Sequence, residues 1–172
     1  MTAGDLLQRL WAPHRMAYVT GEPGDFGADD DCPFCRIPTL PDEEGLVVAR
    51  AGLTYAVLNL HPYNPGHLMV LPYRHVAGYE ELTADECGEV ALLTQQALRA
   101  IRAVSAPHGF NIGLNLGGIA GGSLADHLHQ HVVPRWSGDA NFITVVGESK
   151  VLPQLLADTR RLLVDAWPGE QP

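Results

Sequence analysis

The chain has little with which to cross a bilayer, staple itself together or grip a polyanion over a broad surface. No stretch of its 172 residues approaches the ~18 consecutive apolar residues a spanning helix needs, so no membrane segment is expected. The N-terminus, Met1-Thr2-Ala3-Gly4-Asp5-Leu6, lacks a basic segment followed by a long apolar run, and no signal peptide is expected. Three cysteines are an odd set and give no disulfide framework. These absences together point to a cytoplasmic protein. Lys and Arg number 11 against 20 Asp and Glu, a net charge of −9. No clustered basic face for nucleic acid is expected, and an anionic ligand would have to be held by local donors against the overall field. There is no internal repeat and no low-complexity tract.

What remains is ordinary globular sequence, 46% hydrophobic, of a length that suits one domain with a sizeable core. Asp5 to Trp11 reads as a short helix and Gly21 to Asp31, rich in Gly, Asp and Pro, as a loop. Residues 1–30 are therefore expected to be an extension and residues 31–172 the domain. Gly45 to Ala49, Tyr55 to Leu60 and His67 to Pro72 read as strands, the last two joined by a Pro62-to-Gly66 turn. Thr83-Ala84-Asp85-Glu86 is a capping-box pattern. After it, Val90, Leu93, Ala97, Ile101 and Val104 follow helical spacing, predicting a long helix that ends near Pro107. Cys87 falls within it and reads as packing. Phe110 to Leu116 and His127 to Pro134 are predicted strands, and Lys150 to Trp167 a C-terminal helix with Pro153 near its first turn. Strands with two main helices predict an α+β domain, mostly antiparallel.

The segment His127-Leu128-His129-Gln130-His131-Val132-Val133-Pro134 carries the chemistry. In a strand, residues two apart share a face, so the three imidazoles would line one surface at roughly 7 Å spacing with Leu128 and Val132 turned to the core. A buried row of imidazoles needs many hydrogen-bond partners, so packing alone explains it poorly. Two chemistries fit: a metal site, or nucleophilic attack by one histidine with neighbours holding an anion. Asn115 to Ser123, just upstream, supplies four glycines, a serine and an asparagine whose N–H groups and short side chains suit an anion. Alone, that stretch also reads as a flexible hairpin loop. Carboxylates are sparse, and Asp126 is expected to point away. A phosphate site is therefore better supplied than a multi-carboxylate metal site.

Cys32-Pro33-Phe34-Cys35 is a CxxC. A redox dithiol would want its first cysteine at a helix start, and the prolines in Arg36-Ile37-Pro38-Thr39-Leu40-Pro41 argue against a helix. A structural zinc knuckle is the preferred reading, with unmetallated thiols as the remaining one.

Taken together these motifs resemble those of the HIT, or histidine-triad, superfamily. His127-Leu128-His129-Gln130-His131-Val132-Val133 is similar to its H-φ-H-φ-H-φ-φ signature, with Gln130 as a polar departure. Asn59 to His67 resembles that family's strand asparagine and Pro-Gly-His turn, and Val70 to His75 its next strand and Pro-x-x-His exit. Pro134-Arg135-Trp136 and Gly138 to Phe142 resemble the branch containing diadenosine-polyphosphate enzymes, and the motifs as a set are most similar to those of actinobacterial diadenosine tetraphosphate phosphorylases. The likeness spans roughly residues 30–168. It implies a HIT-like fold, a mostly antiparallel five-stranded sheet with a long central helix and a C-terminal helix, assembled as a homodimer or homotetramer.

The resemblance also implies roles. His129 would be the nucleophile, forming a nucleotidyl-histidine, with His131 and His67 flanking the phosphate as donors. Asn59 would bind a ribose, against a plain strand-end cap. Asn115, Gly122 and Ser123 would bind the polyphosphate, against purely structural roles. Trp136 would stack on a base or pack at a subunit interface, the two readings standing level. In zinc-bearing members the remaining ligands match His75 and His127, completing a set with Cys32 and Cys35. The implied reaction is attack on diadenosine tetraphosphate to release ATP, then transfer of the adenylyl group to phosphate as ADP, with no catalytic cofactor. A hydrolase or nucleoside phosphoramidase of the same fold is the enzymatic alternative. An adenine-nucleotide-binding regulatory module is the non-enzymatic one, and the intact triad argues against it.

Overall fold

The computed structural model describes residues 32–120, 124–139 and 152–169. The expected N-terminal helix and loop, Gly122, Ser123, Asn141 and Phe142 lie outside the described residues. A four-residue helix, α1 (Pro33–Arg36), leads through a 3₁₀ turn into β1 (Val47–Arg50), β2 (Thr54–Leu58) and β3 (Leu68–Pro72). The long helix α2 (Ala84–Ser105) follows, then β4 (Gly109–Leu114), β5 (Gln130–Arg135) and α3 (Leu156–Asp165). The strands form a five-stranded sheet in the order β1-β2-β3-β5-β4, and every pairing is antiparallel. The fold is α+β, as the sequence predicts.

Alternation along the strands explains how one sheet is covered on both sides. On one face Val48, Ala56, Leu58, Leu68, Val70 and Val132 pack against Val90, Leu93, Ala97, Ala100 and Ile101 of α2 and Leu163 of α3. On the other, Val47, Tyr55, Val57, Met69 and Leu71 pack against Cys32 and Phe34. Both faces are dry, so β2 and β3 are buried along their whole length, which is why they read as unbroken apolar runs.

Helix α2 starts at the anticipated capping box: Thr83 Oγ1 accepts from Glu86 N–H at 3.2 Å and Glu86 returns a bond from Thr83 N–H at 2.8 Å. Glu86 is buried and also receives Arg74 at 3.0 and 2.8 Å. The guanidinium holds its carboxyl down at about 2.

Most boundaries shift by a residue or two, and two shift further. Helix α3 begins at Leu156, behind the N-cap Leu155, not at Lys150. Pro153 precedes the helix, because a proline disfavours helical backbone at the residue before it. Strand β5 begins at Gln130, not at His127. Its ladder with β3 spans Gln130 to Val132, while Leu128 N–H is drawn out of it to the Val76 carbonyl at 2.6 Å. The three histidines therefore do not share one strand face.

Candidate active site

His67 and His131 face each other where the β2–β3 turn meets β5. The turn is pinned by Asn64, a buried amide that donates to the Pro134 carbonyl at 2.8 Å and to Asp139 at 2.7 Å. Its own carbonyl takes His67 N–H at 3.1 Å. Gly66 turns the chain at φ 77°, a conformation cheap only for glycine. Asp139 is fixed in turn by Arg135 at 2.6 and 3.0 Å, and that guanidinium keeps its carboxyl far below the usual carboxylate range.

The proton positions follow from partners that can act in one sense only. Tyr63 N–H, a main-chain donor, points at His67 Nδ1 at 3.1 Å, with the Asn59 amide at 3.4 Å. Nδ1 is therefore the bare nitrogen and Nε2 carries the proton. That Nε2–H donates to His131 Nδ1 at 2.9 Å, which places the His131 proton on its own Nε2. The Asn115 Nδ2 lies 3.4 Å from this nitrogen, and a protonated Nε2 calls for the amide turned over, with its oxygen on that side. Tyr63 stacks over both rings, at 4.7 Å from His67 and 5.6 Å from His131.

His129 is set the other way round. Its Nδ1 lies 2.8 Å from the His127 carbonyl, which can only accept, so the proton sits on Nδ1 and Nε2 keeps its lone pair. Among the described residues nothing is bonded to that Nε2. His129 is buried, and the loss of solvation lowers its pKa, opposed by the carbonyl bond. It is thus a neutral imidazole near pH 7, 4.9 Å from His131 between ring centres. A bare imidazole nitrogen near an N–H donor is chemically suited to attack on a phosphorus whose oxygens gain charge.

The third histidine turns elsewhere. His127 Nδ1 lies 3.5 Å from both Cys32 Sγ and Cys35 Sγ, and His75 Nδ1 lies 3.3 Å from Cys35 Sγ. All four ligand atoms fall within 4.8 Å of one another. A tetrahedral Zn²⁺ with ordinary bond lengths spaces sulfur and nitrogen ligands by roughly 3.6 Å, so the residues fit a zinc ion. The His127 tautomer fits too. Its Nε2 lies 3.0 Å from the Pro72 carbonyl, an outer partner that takes the proton and leaves Nδ1 bare. The expectation that prolines exclude a helix at the CxxC fails. Cys32 is the N-cap of α1 with Pro33 in the first turn, and the helix ends at Arg36, so Pro38 and Pro41 fall beyond it.

The structure thus gathers His67, His129, His131, Asn59 and Asn115 in one place and Cys32, Cys35, His75 and His127 in another, joined through His127. Asn59 also caps its strand end, accepting from His61 N–H at 2.9 Å. Trp136 is not brought to the histidines. Its indole N–H donates to the Ser105 carbonyl at the end of α2 at 3.2 Å, and it lines a cavity of about 380 Å³ with Ile101, Val104 and Leu163. Residues without a sequence signal of their own also contribute: Phe34 against His129, Tyr63 over the histidine pair, Asn64 beneath the turn, and the Pro72 carbonyl. Asn64 is marked in the sequence only by its place inside the Pro62-Tyr63-Asn64-Pro65-Gly66 turn.

A family model described as the HIT domain matches residues 41–138. The chain is 63% identical over 167 residues to an AP-4-A phosphorylase from Mycobacterium tuberculosis, covering 95% of this chain and 86% of that protein. It is 32% identical over 104 residues to an adenosine 5'-monophosphoramidase from Schizosaccharomyces pombe, covering 60% and 74%. Among solved structures, a Zn-bound histidine triad family protein from Mycobacterium smegmatis superposes with a TM-score of 0.65 at 26% identity, over 81% of this chain and 94% of that one.

Burial, with the nearby His129 as a smaller cause, holds His131 down at about 4. An unfolded histidine titrates near ~6.5, so the unfolded chain binds this proton first as pH falls. The stability that His131 contributes is present above about 6.5 and is lost as pH falls toward about 4. Urea midpoints measured across that window should decline, and the decline should be shallower in His131→Asn. Equal slopes would show that this histidine is not held neutral by the fold.

Proposed function

This chain belongs to the HIT family, and on that footing we propose that it is a nucleotidyltransferase that splits diadenosine tetraphosphate with inorganic phosphate into ATP and ADP. The observation that carries the chemistry is the His129 tautomer, fixed by the 2.8 Å contact of Nδ1 with the His127 carbonyl. The 63% identity to an AP-4-A phosphorylase over 95% of the chain supports phosphate as the acceptor.

In the first step His129 Nε2 attacks the α-phosphorus of one adenosine. A P–N bond forms, the bond from that phosphorus to its bridging oxygen breaks, and ATP departs. His131 Nε2–H meets the oxygens that gain charge, while His67 holds His131 in that tautomer. In the second step a phosphate oxygen attacks the same phosphorus, the P–N bond breaks, and ADP leaves with His129 restored. Asn59 and Asn115 are suited to the ribose and the polyphosphate. Gly122 and Ser123 are assigned the incoming phosphate from their place in the Gly-rich stretch. Cys32, Cys35, His75 and His127 are assigned a zinc ion, which when bound would supply a structural cross-link and no chemistry of the reaction.

His129→Ala should lower kcat by several orders of magnitude with the fold and nucleotide binding retained, because the whole two-step route is lost. More than about a tenth of wild-type activity, equivalent to a barrier rise of less than about 1.4 kcal/mol, would rule out the covalent role.

Chromatography of the products identifies the acceptor. ATP and ADP should appear from diadenosine tetraphosphate only when phosphate is present, and Ser123→Ala should weaken phosphate use more than dinucleotide binding. ATP and AMP formed at one rate with or without phosphate would make the protein a hydrolase.

Protein purified without chelator should carry one zinc per chain by elemental analysis, and chelation should lower its melting temperature because structural zinc contributes folding energy. Metal-free protein with an unchanged melting temperature would leave the four ligands as a thiol–imidazole cluster only.

A further inference from the structure

A single hydrogen bond fixes one point of a ring, not its plane. His129 is held at Nδ1 by the His127 carbonyl, and its Nε2 must stay unbonded to react. The direction in which Nε2 points is therefore set by what the ring packs against. His131 stands edge-on to it, at 78° and 4.9 Å between centres. Phe34 also packs against the His129 ring, its ring centre 5.0 Å away and tilted by 47°. Phe34 meets the His127 ring edge-on as well, at 5.6 Å and 74°, so it touches the rings of both histidines. It is 5% exposed.

Phe34 is itself held unusually well for a residue in a four-residue helix. Cys32 and Cys35 on either side of it converge on His127, and its own carbonyl accepts from the Tyr55 hydroxyl at 2.7 Å. Tyr55 is fully buried.

We propose that Phe34 is a positioning residue for the nucleophile, a flat wall that fixes the plane of the His129 ring so that Nε2 faces the α-phosphorus. The inference rests on His129 being the nucleophile of the transfer proposed above. Its reach extends to the intermediate. Once Nε2 bonds phosphorus with Nδ1 still protonated, the ring carries a positive charge, and an aromatic ring within ~6 Å attracts a cation.

The test uses Phe34→Leu and Phe34→Met in the full chain, two apolar replacements of similar volume without a flat face. Metal content and melting temperature are measured alongside. Expected is a fall in kcat of about ten- to a hundredfold, the scale on which misplacing a reacting group acts, with KM within about twofold and metal retained. Imidazole ¹⁵N spectra give a readout that needs no turnover. Wild-type His129 should show a fixed tautomer protonated at Nδ1, and the variants an averaged pattern from a ring free to rotate. A variant that folds, keeps its metal and retains kcat within about threefold, with unchanged His129 shifts, overturns the proposal. Loss of the fold in both variants also overturns it, since Phe34 would then serve the core. Wild-type protein that fails to turn over diadenosine tetraphosphate overturns the reaction instead, and the spectra still decide the role of Phe34.

Discussion

His127 is held by its ring and used through its main chain. The ring is fixed at both nitrogens, by Cys32 and Cys35 on one side and the Pro72 carbonyl on the other. The carbonyl of the same residue then orients His129. A side chain anchored at two points removes the freedom of the peptide that follows it, and that peptide is what orients the His129 ring. The late start of β5 follows from the same restraint. A residue whose ring is drawn toward the α1 turn and whose successor bonds Val76 cannot also sit in the ladder with β3.

The pairing of His67 with His131 depends on a different kind of support. Neither histidine is brought to the other by the sheet register alone, because His67 lies just outside β3. Asn64 closes the gap by bonding the Pro134 carbonyl and Asp139, beyond the end of the site. Arg135 extends that anchorage to Asn111 on β4 at 2.7 Å. The turn is thus fastened to the same strand that carries His131, and a buried amide with few alternative partners is costly to release.

The elements were largely legible from periodicity and capping. Val90 to Ile101 carried the helical repeat, and β2 and β3 their apolar runs. The histidines were legible as chemistry, but not as geometry. Spacing of two fits one strand face only if the strand includes all three, and strand limits depend on which backbone groups find partners, such as Leu128 with Val76. Pro38 and Pro41 do not bar a helix at the CxxC, because α1 has already ended at Arg36 before either is reached. Phe34 was hidden between two cysteines that drew attention to themselves, and Tyr63 and Asn64 within a turn where no repeat exists to mark an inward residue. The Pro72 and His127 carbonyls belong to the backbone, and no residue type announces them. Trp136, for which base stacking and subunit packing stand level in the sequence, has its indole N–H taken by the Ser105 carbonyl at the end of α2.

The imidazoles have a polarity set from outside. One end of the His67–His131 row terminates at a main-chain amide, Tyr63 N–H, that cannot accept a proton. The His129 ring terminates at a main-chain carbonyl that cannot donate one. Neither terminus can change sign, whatever passes through the middle. A tautomer shift at His67 would set a protonated Nδ1 against the Tyr63 N–H, and one at His129 would set a bare Nδ1 against the His127 carbonyl. The resting arrangement is therefore the one to which the site relaxes after each event, and the backbone rewinds the catalyst for the next.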